Sequence, residues 1–124
     1  MKGLTVRLAT SLIIATVSGA ALAAPEAATV RRSYFAVVSS TGDTVRSTDD
    51  VTSSRLGLGL YRVIFPVSVA RCAYLANVGS TNRSREMGGS AKTNGMPRNA
   101  KGVEIQIGSQ GAAADRDCHL GVLC

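Results

Sequence analysis

The alternating run that ends at Pro66 constrains the fold more than any other stretch of the chain. In an extended conformation Tyr61, Val63 and Phe65 point to one side, and Arg62 marks the opposite side as the one that meets water. Pro66 has no N–H group to donate to a neighbouring strand, so the strand ends there. We therefore expect a β-strand that buries its aromatic side in a core.

Several other stretches have the β-branched and aromatic content, or the alternation, that is typical of strands. The clearest alternates Val103, Ile105 and Ile107 with polar residues. Predicted strands cover residues 33–39, 44–47, 51–56, 60–65, 70–78, 103–107 and 117–124. Their short length and regular spacing predict an all-β fold, a small antiparallel β-sandwich that is jelly-roll-like or immunoglobulin-like and contains one disulfide.

The beginning of the chain has the order of a secretory signal peptide. Basic residues precede an apolar segment, and Ala21 and Ala23 fit the small-residue positions before a cleavage site. The apolar segment is shorter than the roughly 20 residues that a membrane-spanning helix needs. We expect a signal peptide at residues 1–23, a flexible leader at 24–32 and the β-sandwich at 33–124. The mature protein is then periplasmic or extracellular.

The charge of the chain is moderately basic. The formal net charge is +6, and it falls to +4 if cleavage removes two of the 14 basic residues and none of the eight acidic ones. An excess of this size attracts anionic surfaces such as lipopolysaccharide, wall polymers or phosphate groups. It is too small to indicate nucleic-acid binding, and export argues against nucleic acid as well. The expected partners are anionic cell-envelope polymers or another protein, including further copies of the chain.

Three cysteines in an exported chain predict one disulfide and one free thiol. Cys118 and Cys124 lie about 20 Å apart in one extended strand, whereas bridged cysteines have Cα atoms within about 7 Å. Cys72 therefore pairs with one of them. We favour Cys72–Cys124 because that bridge would anchor the last residues and Cys118 would suit a core position. The pairing of Cys72 with Cys118 stays open.

Candidate catalytic residues are few. His119 is the only histidine, and Asp117 shares its strand face. Cys118 points to the opposite face, so it cannot form a nucleophile–base pair with His119 unless the strand bulges. The sequence has no Gly-x-Ser-x-Gly motif and no ligand spacing typical of zinc or calcium sites. We expect no catalytic residues, no metal and no cofactor, and hence a protein that is not an enzyme.

The stretch 80–102 interrupts the strand pattern with glycine, asparagine and serine. Long connections of this kind in a compact domain are either functional or disordered. Its basic residues outnumber its single acid, Glu86. We predict that it is a binding loop whose contact side chains are Arg83, Arg85, Lys92, Arg98 and Lys101.

Parts of the chain resemble a module of uncharacterised bacterial secreted proteins and of phage-tail-associated proteins. The resemblance rests on GLYRVIF at residues 59–65, CAY at 72–74 and the ending ADRDCHLGVLC at 114–124. It implies an all-β domain closed by a Cys72–Cys124 disulfide and says little about activity. The chain departs from the module at Cys118, where an aromatic residue is expected, and this leaves a smaller side chain in the core.

Together these features predict a secreted, non-catalytic bacterial β-sandwich with a binding or structural role at the cell envelope or outside the cell. An alternative is a subunit of an oligomeric fibre or tail-like assembly, with the outward residues Leu58, Ile64 and Leu75 as contacts. A weaker alternative is a hydrolase that uses His119.

Overall fold

The structure, a computed structural model, describes Gly3 and residues 32–85 and 88–124. The predicted signal peptide at residues 1–23 lies outside the described residues apart from Gly3. The same holds for the predicted leader at 24–32 apart from Arg32. The β-sandwich that was predicted for residues 33–124 falls within the compact unit Arg31–Cys124.

Nine strands form in the described part of the chain. They are β1 (Ser33–Val38), β2 (Thr44–Ser47), β3 (Thr52–Gly57), β4 (Leu60–Ile64), β5 (Ala73–Val78), β6 (Ser90–Met96), β7 (Asn99–Ser109), β8 (Ala112–Ala113) and β9 (Cys118–Leu123). The first sheet has the order β2-β1-β9-β5; the second has the order β3-β4-β7-β6, with β8 paired to β7. Every pairing is antiparallel. The predicted antiparallel β-sandwich is confirmed.

Alternating side chains fill the space between the two sheets. Tyr61, Val63 and Phe65 are at most 1% exposed, as the sequence predicts. The ring of Tyr34 on the first sheet meets Phe65 edge-on with centroids 5.8 Å apart, an arrangement that aromatic pairs prefer. The other inward residues of the core are Ala36, Val38, Val51, Val69, Val103, Ile105, Ile107, Cys118, Leu120 and Val122.

A disulfide joins Cys72 to Cys124, which confirms the favoured pairing and rules out the alternative with Cys118. The two cysteines flank neighbouring strands, because Ala73 on β5 lies opposite Leu123 on β9. Cys118 is a free, fully buried thiol in the core. The bridge therefore ties the middle of the chain to its last strand at one end of the first sheet.

The prediction of a single loop over residues 80–102 is wrong for its second half. Residues 90–96 form β6, and the residues from 99 onward belong to β7. The sequence of β6, SAKTNGM, has one β-branched residue and no apolar alternation, so it carries no strand signal of its own. Pairing with the strongly alternating β7 holds it in place, and its inward Ala91 packs against the core.

Gly42 lies in the turn that joins β1 to β2, and its φ of +94° is a conformation that favours glycine. A Cβ at this position would collide with the backbone nitrogen of Arg55 on β3. The hydroxyl of Ser53 donates to the carbonyl of Gly42 at 2.8 Å. The close approach at this glycine therefore brings the edges of the two sheets together.

Candidate binding cleft

A cleft of about 370 Å³ opens on the outer face of the second sheet. One row of facing residues crosses this face, with Gln106 on β7 between Leu60 on β4 and Lys92 on β6. These three side chains point away from the core because their neighbours Tyr61 and Ile105 point into it. Lys92 and Gln106 are both exposed. The cleft therefore offers a cationic ammonium beside a primary amide.

The next row provides the floor of the cleft. Gly108 lies between Ser90 on β6 and Ala113 on β8. Since glycine has no side chain, the surface dips between Ser90 and Ala113. Leu58 in the β3–β4 turn also lines the cleft and is 61% exposed. A ligand would meet an apolar side chain on one side and polar groups on the other.

The carboxylate of Asp115 fixes the turn that carries Leu58. Asp115 Oδ1 accepts hydrogen bonds from the Gly59 backbone N–H at 2.8 Å and from the Tyr61 hydroxyl at 3.1 Å. Arg55 forms an ion pair with Asp115 Oδ2 at 2.9 Å. Gly59 has a φ of +67°, and a Cβ there would collide with the carbonyl oxygen of Ile107. This cluster therefore holds one side of the cleft against β7.

The charges in this cluster stabilise one another. Asp115 accepts hydrogen bonds from the Arg55 side chain and from the Gly59 backbone N–H, and these bonds hold the pKa of Asp115 below its usual range. Burial and the neighbouring carboxylate raise the pKa of Tyr61 to about 12. At neutral pH the carboxylate is therefore ionised and the phenol is protonated. This protonation pattern suits a structural cluster.

The outer face of the second sheet remains polar beyond the cleft. Glu104 lies between Arg62 on β4 and Asn94 on β6. This row is two residues from Gln106, or about 7 Å along the strands. Lys92 and Glu104 thus share one face, and a ligand on it would need anionic groups as well as hydrogen-bond donors.

The structure places the five basic residues of the predicted binding loop in different positions. Lys92 lies on β6 in the cleft. Arg83 and Arg85 lie in the connection between β5 and β6, whereas Arg98 is in the β6–β7 turn and Lys101 is on β7. They do not form one loop surface, because β6 separates them. Only Lys92 lines the cleft.

Sequence reasoning missed the other polar groups of the cleft. Alternation along β7 places Gln106 outward, but nothing in the sequence indicates that Lys92 lies opposite it. That relation depends on the register of β6, which has no strand pattern. The role of Gly108 likewise depends on the pairing of β8.

Asp117 and His119 do not form a catalytic pair in the described structure. Asp117 accepts hydrogen bonds from the Ser40 backbone N–H at 2.7 Å and the Thr81 hydroxyl at 3.2 Å. The Nε2 atom of His119 contacts the carbonyl of Ser80 at 2.9 Å, so it acts as the donor. These contacts attach the β1–β2 turn and the segment after β5 to the chain around the start of β9, which is a structural role.

Cys118 is held as a neutral thiol. Burial, reinforced by the charge of Asp117, raises its pKa to about 12. Reactivity of cysteine requires the thiolate. In the folded protein this side chain therefore acts as a small apolar residue of the core.

The described residues offer neither a metal-binding cluster nor a membrane-spanning helix. They contain no group of three or more His, Cys, Asp or Glu side chains that could hold a metal ion. None of the described segments forms a helix with the length and hydropathy of a membrane span.

Comparison with known proteins found no match to a protein-family model, a curated protein or a solved structure. The resemblance to a secreted or phage-tail-associated module thus remains a prediction.

Proposed function

We propose that the protein is an exported, non-catalytic binding module that recognises an anionic cell-envelope polymer through the cleft on its second sheet. The observation that carries this proposal is the row Leu60–Gln106–Lys92 at the edge of a concave surface. It supplies a cation, an amide and an apolar contact within one site. Such a combination of a few polar groups in a concave surface is typical of ligand sites.

The charges of the face favour a polymer that carries hydroxyl groups as well as anions. Lys92 attracts a phosphate or carboxylate, as does Arg62 in the next row, whereas Glu104 beside Arg62 would repel a chain of closely spaced anions. The same carboxylate accepts hydrogen bonds from hydroxyls, and Gln106 and Asn94 can both donate and accept. An acidic glycopolymer of the cell envelope satisfies all of these groups.

The small energy of the one cationic contact in the cleft, Lys92, also favours a repeating ligand. An exposed ion pair contributes about 0.2–1 kcal/mol, which is too little for stable binding by itself. Repeated units raise the effective concentration at the site and increase the overall affinity. We therefore expect weak binding of one unit and stronger binding of the polymer.

Export is part of this proposal. The basic start, apolar segment and small residues at the beginning of the chain support a cleaved signal peptide. The Cys72–Cys124 disulfide supports an oxidising compartment, since such bonds form mainly outside the cytoplasm. Pulse labelling of the expressed protein should show processing after Ala23, and an unprocessed cytoplasmic product would contradict export.

The cleft is tested by calorimetric titration with wall teichoic acid, with dextran as the uncharged polymer. Lys92→Glu replaces an attraction by a repulsion and should weaken binding about tenfold. Lys101→Glu is the matched control, because it makes the same charge change on β7 at a residue that does not line the cleft. It should leave binding nearly unchanged.

Two outcomes would contradict the proposal. Equal weakening by both variants would show that only net charge matters. Equal binding of dextran and teichoic acid by the unmodified protein would show that the anion is irrelevant.

A further inference from the structure

The outer face of the first sheet carries exposed apolar side chains around a glycine. Gly121 on the inner strand β9 lies between Phe35 on β1 and Leu75 on β5. Leu123 is two residues further along β9 and points to the same side. Phe35 is 46% exposed, Leu75 61% and Leu123 53%. These three side chains and Gly121 form what we call the apolar patch.

The other half of this face is covered by the chain itself. The Arg46 guanidinium donates to the Thr81 carbonyl at 2.7 Å, and the ring of His119 contacts the Ser80 carbonyl. Val37 points outward on β1 in this half, yet it is only 6% exposed. The segment after β5 therefore bounds the apolar patch on one side and leaves the patch open.

Opposite charges lie at the two edges of the open half. Just after β2, the backbone N–H of Thr48 donates to the carbonyl of Phe35. The next two residues, Asp49 and Asp50, are exposed. The exposed Arg71 lies on the other edge, directly before Cys72 and β5. The two edges are three strand spacings apart, or about 14 Å.

We propose that the apolar patch binds a second copy of this chain about a two-fold axis that runs parallel to the strands between β1 and β9. Such an axis exchanges β1 with β9 and β2 with β5 across the interface. Phe35 of each copy then lies over Gly121 of the other. The same operation places the edge that carries Asp49 and Asp50 across from the edge of the other copy that carries Arg71, so it brings opposite charges to the same side of the interface.

Gly121 has the geometry that this interface requires. A Cβ built at Gly121 meets only the carbonyl oxygen of Leu75, at 3.9 Å. The sheet itself could therefore accommodate a side chain there. The absence of one leaves space between Phe35 and Leu75 for an aromatic ring from a partner. This isologous contact is self-complementary, as two-fold dimers require.

The charge pattern favours a second copy over an anionic membrane. An anionic membrane would attract Arg71 at one edge of the apolar patch but would repel Asp49 and Asp50 at the other. In the dimer the same two residues face a cation. This pairing does not involve the cleft, and the proposal is independent of the proposed function.

The interface is small. The four strands of the first sheet present a face about 14 Å wide, and the chain itself covers half of that face. The area that the dimer buries therefore lies at the lower end of the range for specific protein–protein interfaces. We expect a dissociation constant in the micromolar range, on the order of 1–100 µM. Self-association should therefore be visible only as the concentration is raised.

The first test is sedimentation equilibrium of the oxidised protein over a concentration series. Leu75→Ser should raise the dimer dissociation constant about tenfold, since Leu75 lies in the patch. Leu56→Ser is the matched control, because Leu56 is also an exposed leucine, at 44%, but lies on β3 of the second sheet. It should leave the constant unchanged. A monomeric wild type at millimolar concentration, or equal effects of both variants, would overturn the proposal.

The second test examines the axis. Arg71→Glu and Asp49→Lys should each weaken self-association about fivefold, because each places like charges together at both ends of the interface. A mixture of the two variants should form a heterodimer with restored affinity. Failure of the mixture to associate would overturn the geometry. The proposal would also be overturned if the wild type bound to phosphatidylglycerol vesicles and Leu75→Ser abolished that binding.

Discussion

The Cys72–Cys124 bridge should supply a large part of the stability of this small domain. The two cysteines are 52 residues apart in the sequence. In the chain-entropy treatment, closing a loop of this length in the unfolded state contributes about 4 kcal/mol at 25 °C. Small domains have a total unfolding free energy of about 5–15 kcal/mol. Loss of the bridge should therefore bring the domain close to its unfolding threshold.

The experiment compares two proteins that share Cys118→Ala, so that no free thiol can exchange with the bridge. One of them also carries Cys72→Ser and Cys124→Ser. Guanidinium unfolding followed by far-ultraviolet circular dichroism gives the free energy of each. We expect a difference of about 4 kcal/mol. A difference below about 1 kcal/mol would refute the reasoning, because the bridge would then not restrict the unfolded chain as the loop length requires.

Three further predictions concern Tyr61, Asp115 and Cys118. Tyr61→Phe should cost about 1–3 kcal/mol in the same assay, because the hydroxyl donates to Ser40 and Asp115; an unchanged unfolding midpoint would contradict this. The lowered pKa of Asp115 stabilises the folded state above the unfolded-state pKa, about 3.9, and this contribution is lost as pH falls through the folded-state pKa. The melting temperature should therefore drop in acid, and less steeply in Asp115→Asn; parallel curves would count against the cluster. Cys118, with a pKa of about 12, should resist iodoacetamide at pH 8 until the protein unfolds, which mass spectrometry will show. Rapid alkylation of the native protein would show that the thiol is accessible.

The inward side of the sandwich follows from the sequence. Tyr61 and Val63 flank Arg62 on β4, Ile105 alternates with polar residues on β7, and all three lie where alternation places them. Alternation is a local property of one strand, so it can be detected without knowledge of the partner strands. The favoured disulfide is also confirmed. The length of an extended strand excluded Cys118–Cys124, and the choice of Cys124 over Cys118 depended on the fit of Cys118 to a core position, where it lies.

Features that depend on pairing could not be predicted in this way. β6 has no apolar alternation, and its place beside β7 is set by its partner. The ion pair of Arg55 with Asp115 joins residues 60 positions apart. The cleft depends on both features, since β6 contributes Lys92 and the Asp115 cluster holds the opposite turn. The sequence therefore singled out Lys92 as a candidate contact residue but did not predict the cleft that it lines.

The most direct test of the proposed binding module is chemical-shift mapping of the ¹⁵N-labelled protein during titration with wall teichoic acid. We expect the amide signals of Lys92, Gln106 and Gly108 to shift in a saturable manner, while those of Leu75 and Gly121 on the first sheet stay in place. Saturable shifts confined to the first sheet, or no shifts at all, would contradict recognition through the cleft.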